Sequence, residues 1–329
     1  MAEWLYEDGI GEARAALVEN GQILEARIEW NDLHWTVGTI ADARIGEIDR
    51  ARHQAFVKLP DGSPAILSPL PTTPKSQGSA CRVEITRESL SEGTRHKWPK
   101  VRLADPDAQP GPAAALRERI SARTLLAHGA DELEAAGWSE LIEEAASGEI
   151  AFPGGSLHLS LTPAMSLFDV DGRLPRAELA IAGAAAAARA IRRLGLGGSI
   201  GIDLPTLENK AERQAAAAAF DANLPQPFER TAVNGFGFLQ IIRRRDRRSL
   251  PEMLTSDPTG AALRLLLRRA ERCGGSGPIR LLAAPALLAR LTAETDWQDQ
   301  LVRRSGRALL LQPDPEIATW GGHAEAQHS

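Results

Sequence analysis

Cysteine and an excess of positive charge are what this 329-residue chain lacks, and each shortage removes a class of protein. Its two cysteines, Cys81 and Cys273, lie far apart and in no metal-ligand spacing, which excludes a disulfide framework and a zinc ribbon and fits a reducing compartment. Lys and Arg total 38 against 43 Asp and Glu, a net charge of −5, so the chain as a whole is not a polycation. A nucleic-acid role therefore requires a local basic surface, because phosphates respond to nearby cations and not to the total. No long apolar run is present. The stretch from Ile181 to Ile191 is mostly alanine and contains Arg189, too short and too weakly hydrophobic for a membrane span. The N-terminal residues lack a basic segment followed by an apolar one, so no signal peptide is expected and a cytoplasmic location is. There is no HExxH, no GxSxG, no Walker loop and no GxGxxG near residues 195–201. The seven histidines are scattered, and His158 reads as an ordinary strand residue.

What is present is the composition of a globular protein, 43% hydrophobic and 25% charged, at a length sufficient for two or three domains. Two alternating runs flank Asn20-Gly21, a strong hairpin signal. Short strands follow in WTVGTIADAR, HQAFVKLP, SPAILSPL and CRVEITRES, separated by Asp61-Gly62 and by the turn from Pro71 to Ser79. Their number and spacing fit a five-stranded OB-type barrel. Residues 104–113 are a linker by composition, and helices are expected over Ala114–Leu125 and Asp131–Ala146. Beyond the Pro153-Gly154-Gly155 turn the pattern becomes strand–helix–strand: AMSLFDV, residues 177–194, SIGIDL, Glu208–Phe220, then Thr231–Arg243. Such alternation argues for an α/β layer with a parallel pair. Helix–strand–helix–strand then runs to Gln312, and the tail after Pro315 is expected to fray.

Asp169 and Asp203 each close an apolar strand, and one helix separates the two strands. A parallel βαβ unit brings such strand ends to one edge of the sheet, where open α/β sheets place their sites. Two carboxylates there suit Mg²⁺, a hard cation that retains several waters, and Asp171 offers a third oxygen ligand. Taken singly, an aspartate at a strand's end is more often a turn former or a helix cap. The run Arg243–Arg248 follows a strand, and period-two alternation along a continuing strand would put Arg243, Arg245 and Arg247 on one face, suited to phosphate oxygens. A solvated loop is the competing reading. The stretch Arg95-His96-Lys97-Trp98-Pro99-Lys100 interleaves cations with an aromatic, as single-strand binding grooves do and as solvated barrel loops also do.

These segments together resemble the ribonuclease E/G family. AFPGGSLHLSLTPAMSLFDVDG is similar to the family's Gly-Gly hairpin leading to a strand that ends Ile-Asp-Val-Asn-Ser-Gly. RRLGLGGSIGIDL resembles its Leu-Gly-Gly-x-Ile-x-Ile-Asp strand, and NGFGFLQIIRRRDRRSL its Arg-Phe-Gly-Leu-Leu-Glu-Met-Thr-Arg-x-Arg-x-Arg-Pro-Ser-Leu segment. The likeness also covers the N-terminal residues, the barrel, and the C-terminal helix–strand segment, in order along most of the chain.

The resemblance implies an α+β multidomain protein: a shortened RNase H-like segment (1–35 with 106–160), an OB-fold-like barrel inserted in it (36–105), a DNase I-like α/β catalytic domain (161–255), and a small α/β C-terminal domain (256–329). It implies a metal-dependent endoribonuclease that cuts single-stranded RNA and leaves a 5′-phosphate, with Asp169 and Asp203 catalytic and holding Mg²⁺ or Mn²⁺. An RNA-binding protein of the same ancestry with little or no cleavage is the alternative. RNA contacts fall to Arg243, Arg245, Arg247, Phe56 and Lys97, and to Arg123, which with Thr124 matches the Arg-Thr of the family's 5′-monophosphate sensor. Ile66 replaces a second barrel aromatic, and three departures stand out: Asp171 replaces the family's Asn, the region between barrel and catalytic sheet is much shortened, leaving only Arg123-Thr124 of the sensor, and PEMLTSDP lacks the Cys-x-x-Cys link. Hence no zinc is expected, and the state is a monomer or a dimer not joined by zinc.

Overall fold

The Asn20-Gly21 hairpin forms as the dipeptide dictates, with φ of 51° and 73° at its two central residues, the left-handed pair of a type I′ turn. The computed structural model describes residues 1–70, 76–92 and 95–326, and of Ser91, Glu92 and Arg95 the backbone alone; the expected turn from Pro71 to Ser79 therefore lies partly outside the described residues. Strands β1 (Glu3–Asp8), β2 (Glu12–Glu19) and β3 (Gln22–Trp30) pair antiparallel in sequence. Next come β4 (Ile40–Asp49), β5 (Gln54–Lys58), β6 (Pro64–Leu67), β7 (Ala80–Arg87), a small hairpin of β8 (Leu90–Glu92) and β9 (Arg95–Lys97), and β10 (Lys100–Leu103). Five of them close a barrel in the order β10-β6-β5-β4-β7. All its pairs are antiparallel except β6 with β10. Alternation fills its interior with Ala43, Ile45, Val57, Leu67, Val83, Ile85 and Val101.

The region after the linker departs from expectation. Only α1 (Leu116–Arg119) is helical where a helix over Ala114–Leu125 is expected; Ala122–Thr124 is instead β11, pairing parallel with β1. Thr124 is a weak helix former, and the edge of β1 supplies the pairing that overrides the helix propensity of Ala122 and Arg123. The expected helix Asp131–Ala146 is two, α2 (Glu132–Ala135) and α3 (Trp138–Ser147), broken at Ala136-Gly137. A six-stranded sheet follows, ordered β12-β13-β14-β15-β17-β16, from β12 (Glu149–Phe152), β13 (Gly155–Leu161), β14 (Ser166–Gly172), β15 (Gly198–Asp203), β16 (Glu229–Arg230) and β17 (Phe238–Arg243). Between β14 and β15 runs α4 (Arg176–Arg193), and α5 (Lys210–Asn223) follows β15. β14 and β15 are the parallel pair the alternation predicts. One face of this sheet, with Leu157, Phe168, Ile200, Ile202, Leu239 and Ile241, is buried. Burying each such side chain contributes roughly 1.5–3 kcal/mol.

The C-terminal part comprises α6 (Leu250–Ser256), α7 (Pro258–Glu271), β18 (Ile279–Ala283), α8 (Pro285–Ala293), α9 (Thr295–Ser305), β19 (Leu309–Pro313) and β20 (His323–Ala326). The described tail does not fray: β20 pairs antiparallel with β18, completing the sheet β19-β18-β20. Two compact units emerge, Met1–Asp32 with Ile120–Ile142 and Met253–Ser329, and Leu33–Arg119 with Glu143–Glu252. The C-terminal segment is thus no separate body: Ile10 shares a core with Leu263, Leu281 and Leu291. No helix among the described residues is long and apolar enough to cross a membrane.

Candidate active site

The candidate residues Asp169 and Asp203 lie on the second face of the six-stranded sheet. Because cross-strand partners in register point to the same side, one row of side chains crosses five strands on this face: Glu149, His158, Asp169, Asp203 and Phe238. Asp169 and Asp203 are direct partners on the parallel strands β14 and β15, whose backbones lie ~4.8 Å apart. Both are exposed, as is Asp171, which lies two residues further along β14 opposite Ser156. Among the described residues no cation pairs with any of the three aspartates. Among the described residues there is no group of three or more His, Cys, Asp or Glu side chains that could hold a metal ion.

His158 is a strand residue, as its setting predicts, and more besides. Its Nδ1 meets Glu149 Oε1 at 2.5 Å, and the register sets it next to Asp169. Counting back from the Pro153-Gly154 turn yields this neighbourhood from sequence, since Phe152 opposite Gly155 puts Glu149 opposite His158.

On the other side of Asp203, the turn entering β17 holds Phe236 out into solvent, 82% exposed. Asn234 Oδ1 accepts from the backbone N–H of both Phe236 and Phe238, at 2.9 and 3.0 Å. Gly237 allows the turn to close, with φ of 94° and only 2.2 Å between Leu204 O and the place a Cβ would take. Phe238 then pairs with Asp203.

The arginine run is not a continuing strand. β17 ends at Arg243, whose Nη1 donates to Leu196 O at 3.2 Å. Arg245 binds Glu252, which also accepts from the N–H and hydroxyl of Ser249. Arg248 Nε donates to Ser89 O at 3.1 Å, and Glu88 N–H donates to Asp246 O at 2.9 Å. Burial pushes the Glu88 carboxyl up, opposed by the Arg248 N–H and by the charges of Arg247 and Arg248. Past Arg243 the ladder no longer sets which side each arginine takes, and the segment locks to the chain after β7.

Phe56 lies half-buried on the outside of the barrel, opposite Ile66. Lys97 is exposed on β9, and the Arg95 side chain lies outside the described residues. Arg123, on β11, is exposed and held by two acids: Glu132 at 2.7 Å and Glu3 at 3.0 Å. Their hydrogen bonds raise its pKa above the ordinary arginine value.

No protein-family model matches the chain, and no curated protein matches it in sequence.

Proposed function

We propose that the protein is a metal-dependent endoribonuclease of the ribonuclease E/G type, acting on single-stranded RNA. The carrying observation is the Asp169–Asp203 pair: register partners, exposed, on one open sheet face, with no paired cation among the described residues. Two like charges left adjacent on neighbouring strands cost stability unless something positive is shared between them. Carboxylate oxygens are the donor set of Mg²⁺, and a two-carboxylate site suits an ion that keeps several waters. Bound by Asp169 and Asp203, such an ion would lower the pKa of a water and neutralise charge on a scissile phosphate. Attack of water on phosphorus with departure of the 3′ oxygen leaves a 5′-phosphate and a 3′-hydroxyl. Asp171 adds negative charge along the same face, and Phe236 offers a ring to a base flanking the cut.

The barrel's order, with its first three strands consecutive, the fifth beside the third in parallel and the fourth closing on the first, supports the reading of an OB fold, a frequent single-strand binder. A second reading, RNA binding with little or no cleavage, draws on the departures from the resembled pattern: Ile66, the missing Cys-x-x-Cys link and the trimmed sensor. Purified protein incubated with a fluorescent A/U-rich RNA, with Mg²⁺ or EDTA, and alongside Asp203→Asn, decides between them. Metal-dependent cuts lost in the variant support the nuclease; binding without cleavage in any metal supports the second reading.

A further inference from the structure

The Asp169–Asp203 pair suffices for a metal ion and a phosphate, and leaves a second polar pair in the same row without a task. His158, on β13, is the direct cross-strand neighbour of Asp169. Neighbours of this kind stand roughly 4.5–5.5 Å apart at Cβ. Alternation puts the imidazole on the open face, since Leu157 and Leu159 on either side of it are buried. Its side chain is 53% exposed. Glu149 fixes the ring. An ionised carboxylate only accepts, so the contact of Nδ1 with Glu149 Oε1 puts the hydrogen on Nδ1. Such a pairing selects one tautomer and one ring orientation. The other nitrogen, Nε2, has no partner among the described residues.

The surroundings decide what Nε2 meets. Glu149 on β12, and Asp169 and Asp171 on β14, bring three negative charges to the ring's neighbourhood. On its own strand the neighbours on that face are Ser156 and Ser160. A phosphate oxygen is negative and only accepts, so it is repelled there. A hydroxyl is neutral and both donates and accepts, so it pairs with Nε2 whether or not that nitrogen carries a hydrogen. The hydroxyl beside each phosphate of an RNA strand is the ribose 2′-OH, which DNA lacks. It is vicinal to the 3′ oxygen that departs when the phosphate is attacked. A scissile phosphate at Asp169 and Asp203 thus carries it to within about one strand spacing of the pair.

We infer that His158, oriented by Glu149, binds the 2′-hydroxyl of the nucleotide whose 3′ oxygen leaves, and is the residue by which the site tells RNA from DNA. The inference rests on the nuclease reading above and adds to it a basis for substrate choice. Glu149 is the positioning residue, acting on the hydroxyl only through the ring it holds.

The test gives the full chain, with Mg²⁺, two matched fluorescent single strands. One is all RNA; the other carries a single 2′-deoxynucleotide on the 5′ side of the cut mapped in the first. Wild type is expected to cut the RNA roughly five- to tenfold faster, the worth of one hydrogen bond at a half-exposed site. In His158→Ala the RNA rate should fall by that factor while the deoxy-substituted rate holds, so that the ratio drops to about one. His158→Gln, whose amide also donates and accepts, should keep part of the ratio. Glu149→Ala, which leaves the imidazole in place but unoriented, should give an intermediate ratio, and it carries the test if His158→Ala fails to fold in thermal melts. A ratio unchanged in folded His158→Ala, or an equal loss on both substrates, overturns the hydroxyl contact and leaves the nuclease reading intact. So does a wild-type ratio of one. If wild type cuts neither substrate in any divalent metal, both readings fall.

Discussion

The two compact units use charge in opposite ways. In the unit containing α7, arginine is buried and answered: Arg14, Arg264 and Arg268 are 0%, 0% and 3% exposed. Glu7 accepts from Arg14, Arg268 and Arg272, and Arg268 also reaches Asp131 at 2.5 Å. The Arg264 guanidinium lies between the rings of Trp30 and Trp297, at 4.4 and 4.7 Å, with Asp32 at 3.0 Å. In the unit containing the barrel and the six-stranded sheet, Asp169, Asp203, Lys58 and Lys100 are exposed and have no charged partner among the described residues. Paired, buried charge specifies a fold, because removing one partner strands the other in a low dielectric. Unpaired charge held on a rigid sheet contributes little to the fold, and its use lies with whatever binds there.

The sharpest way to break this contrast is to neutralise one charge of each kind. Asp203→Asn should lower metal-dependent RNA cleavage by ~100-fold or more, several kcal/mol of transition-state stabilisation, while the melting temperature stays the same or rises. A fall in melting temperature together with retained cleavage would place Asp203 among the structural charges. Glu7→Gln should do the reverse, costing about 3–5 kcal/mol of unfolding free energy in denaturant titrations by leaving buried guanidinium groups unpaired.

The pH dependence sharpens the second half. Burial alone would raise the Glu7 carboxyl, but Arg14, Arg268 and Arg272 reverse this and hold it below the ordinary glutamate value. A depressed folded value stabilises in full above the ordinary glutamate range, and that stabilisation is lost as pH falls through it. Glu271, raised by burial against the opposing charge of Arg304, contributes a slope of opposite sign. The difference between wild type and Glu7→Gln isolates the Glu7 part: it should hold from neutral pH down to the ordinary glutamate range and shrink below it, as pH falls toward the depressed folded value. A difference that is constant with pH would remove Glu7 from the ionic network.

How much of this was legible in the sequence follows from which forces are local. The parallel β14–β15 pair, and with it the meeting of Asp169 and Asp203, follows from two apolar runs and the intervening alanine-rich helix, all within 40 residues. The Asn20-Gly21 hairpin needs only two residues. The run Ala122–Thr124 fails by the same logic, because its strand character comes from an edge of β1 more than a hundred residues away. The arginine run misleads because period-two alternation holds only while the ladder continues, and β17's partner β15 begins at Gly198, opposite Arg243. Beyond that point Glu252 and the chain around Glu88 decide where the guanidinium groups go. Trp98 next to Phe56 is likewise illegible, since 42 positions of chain separate two rings that only barrel closure brings together.

A smaller effect concerns the rim of the sheet. Phe236 sits on a turn pinned by Asn234, one of few large apolar side chains so exposed, and close in the chain to the partner of Asp203. Phe236→Ala should reduce kcat/KM for single-stranded RNA roughly fivefold or more, with Phe236→Tyr restoring it and the unfolding midpoint unmoved. Equal activity in wild type and Phe236→Ala would return this ring to the scattered apolar residues every surface carries.

The smallest expected effect lies at Arg123, a charge that belongs to the answered kind although it is exposed. Its guanidinium is shared between Glu3 and Glu132, so its donors are occupied before any RNA arrives. A 5′-phosphate would have to displace two carboxylates to reach it, exchanging one charge-assisted contact for another of similar worth. Arg123→Ala is therefore expected to leave unchanged the ratio of cleavage rates on 5′-monophosphorylated and 5′-hydroxylated RNAs. Because both partners are solvent-exposed and well screened, the melting temperature should not move either. A ratio that falls toward one in the variant would show that the phosphate wins the exchange, and would move Arg123 from the charges that build the fold to those that read the RNA.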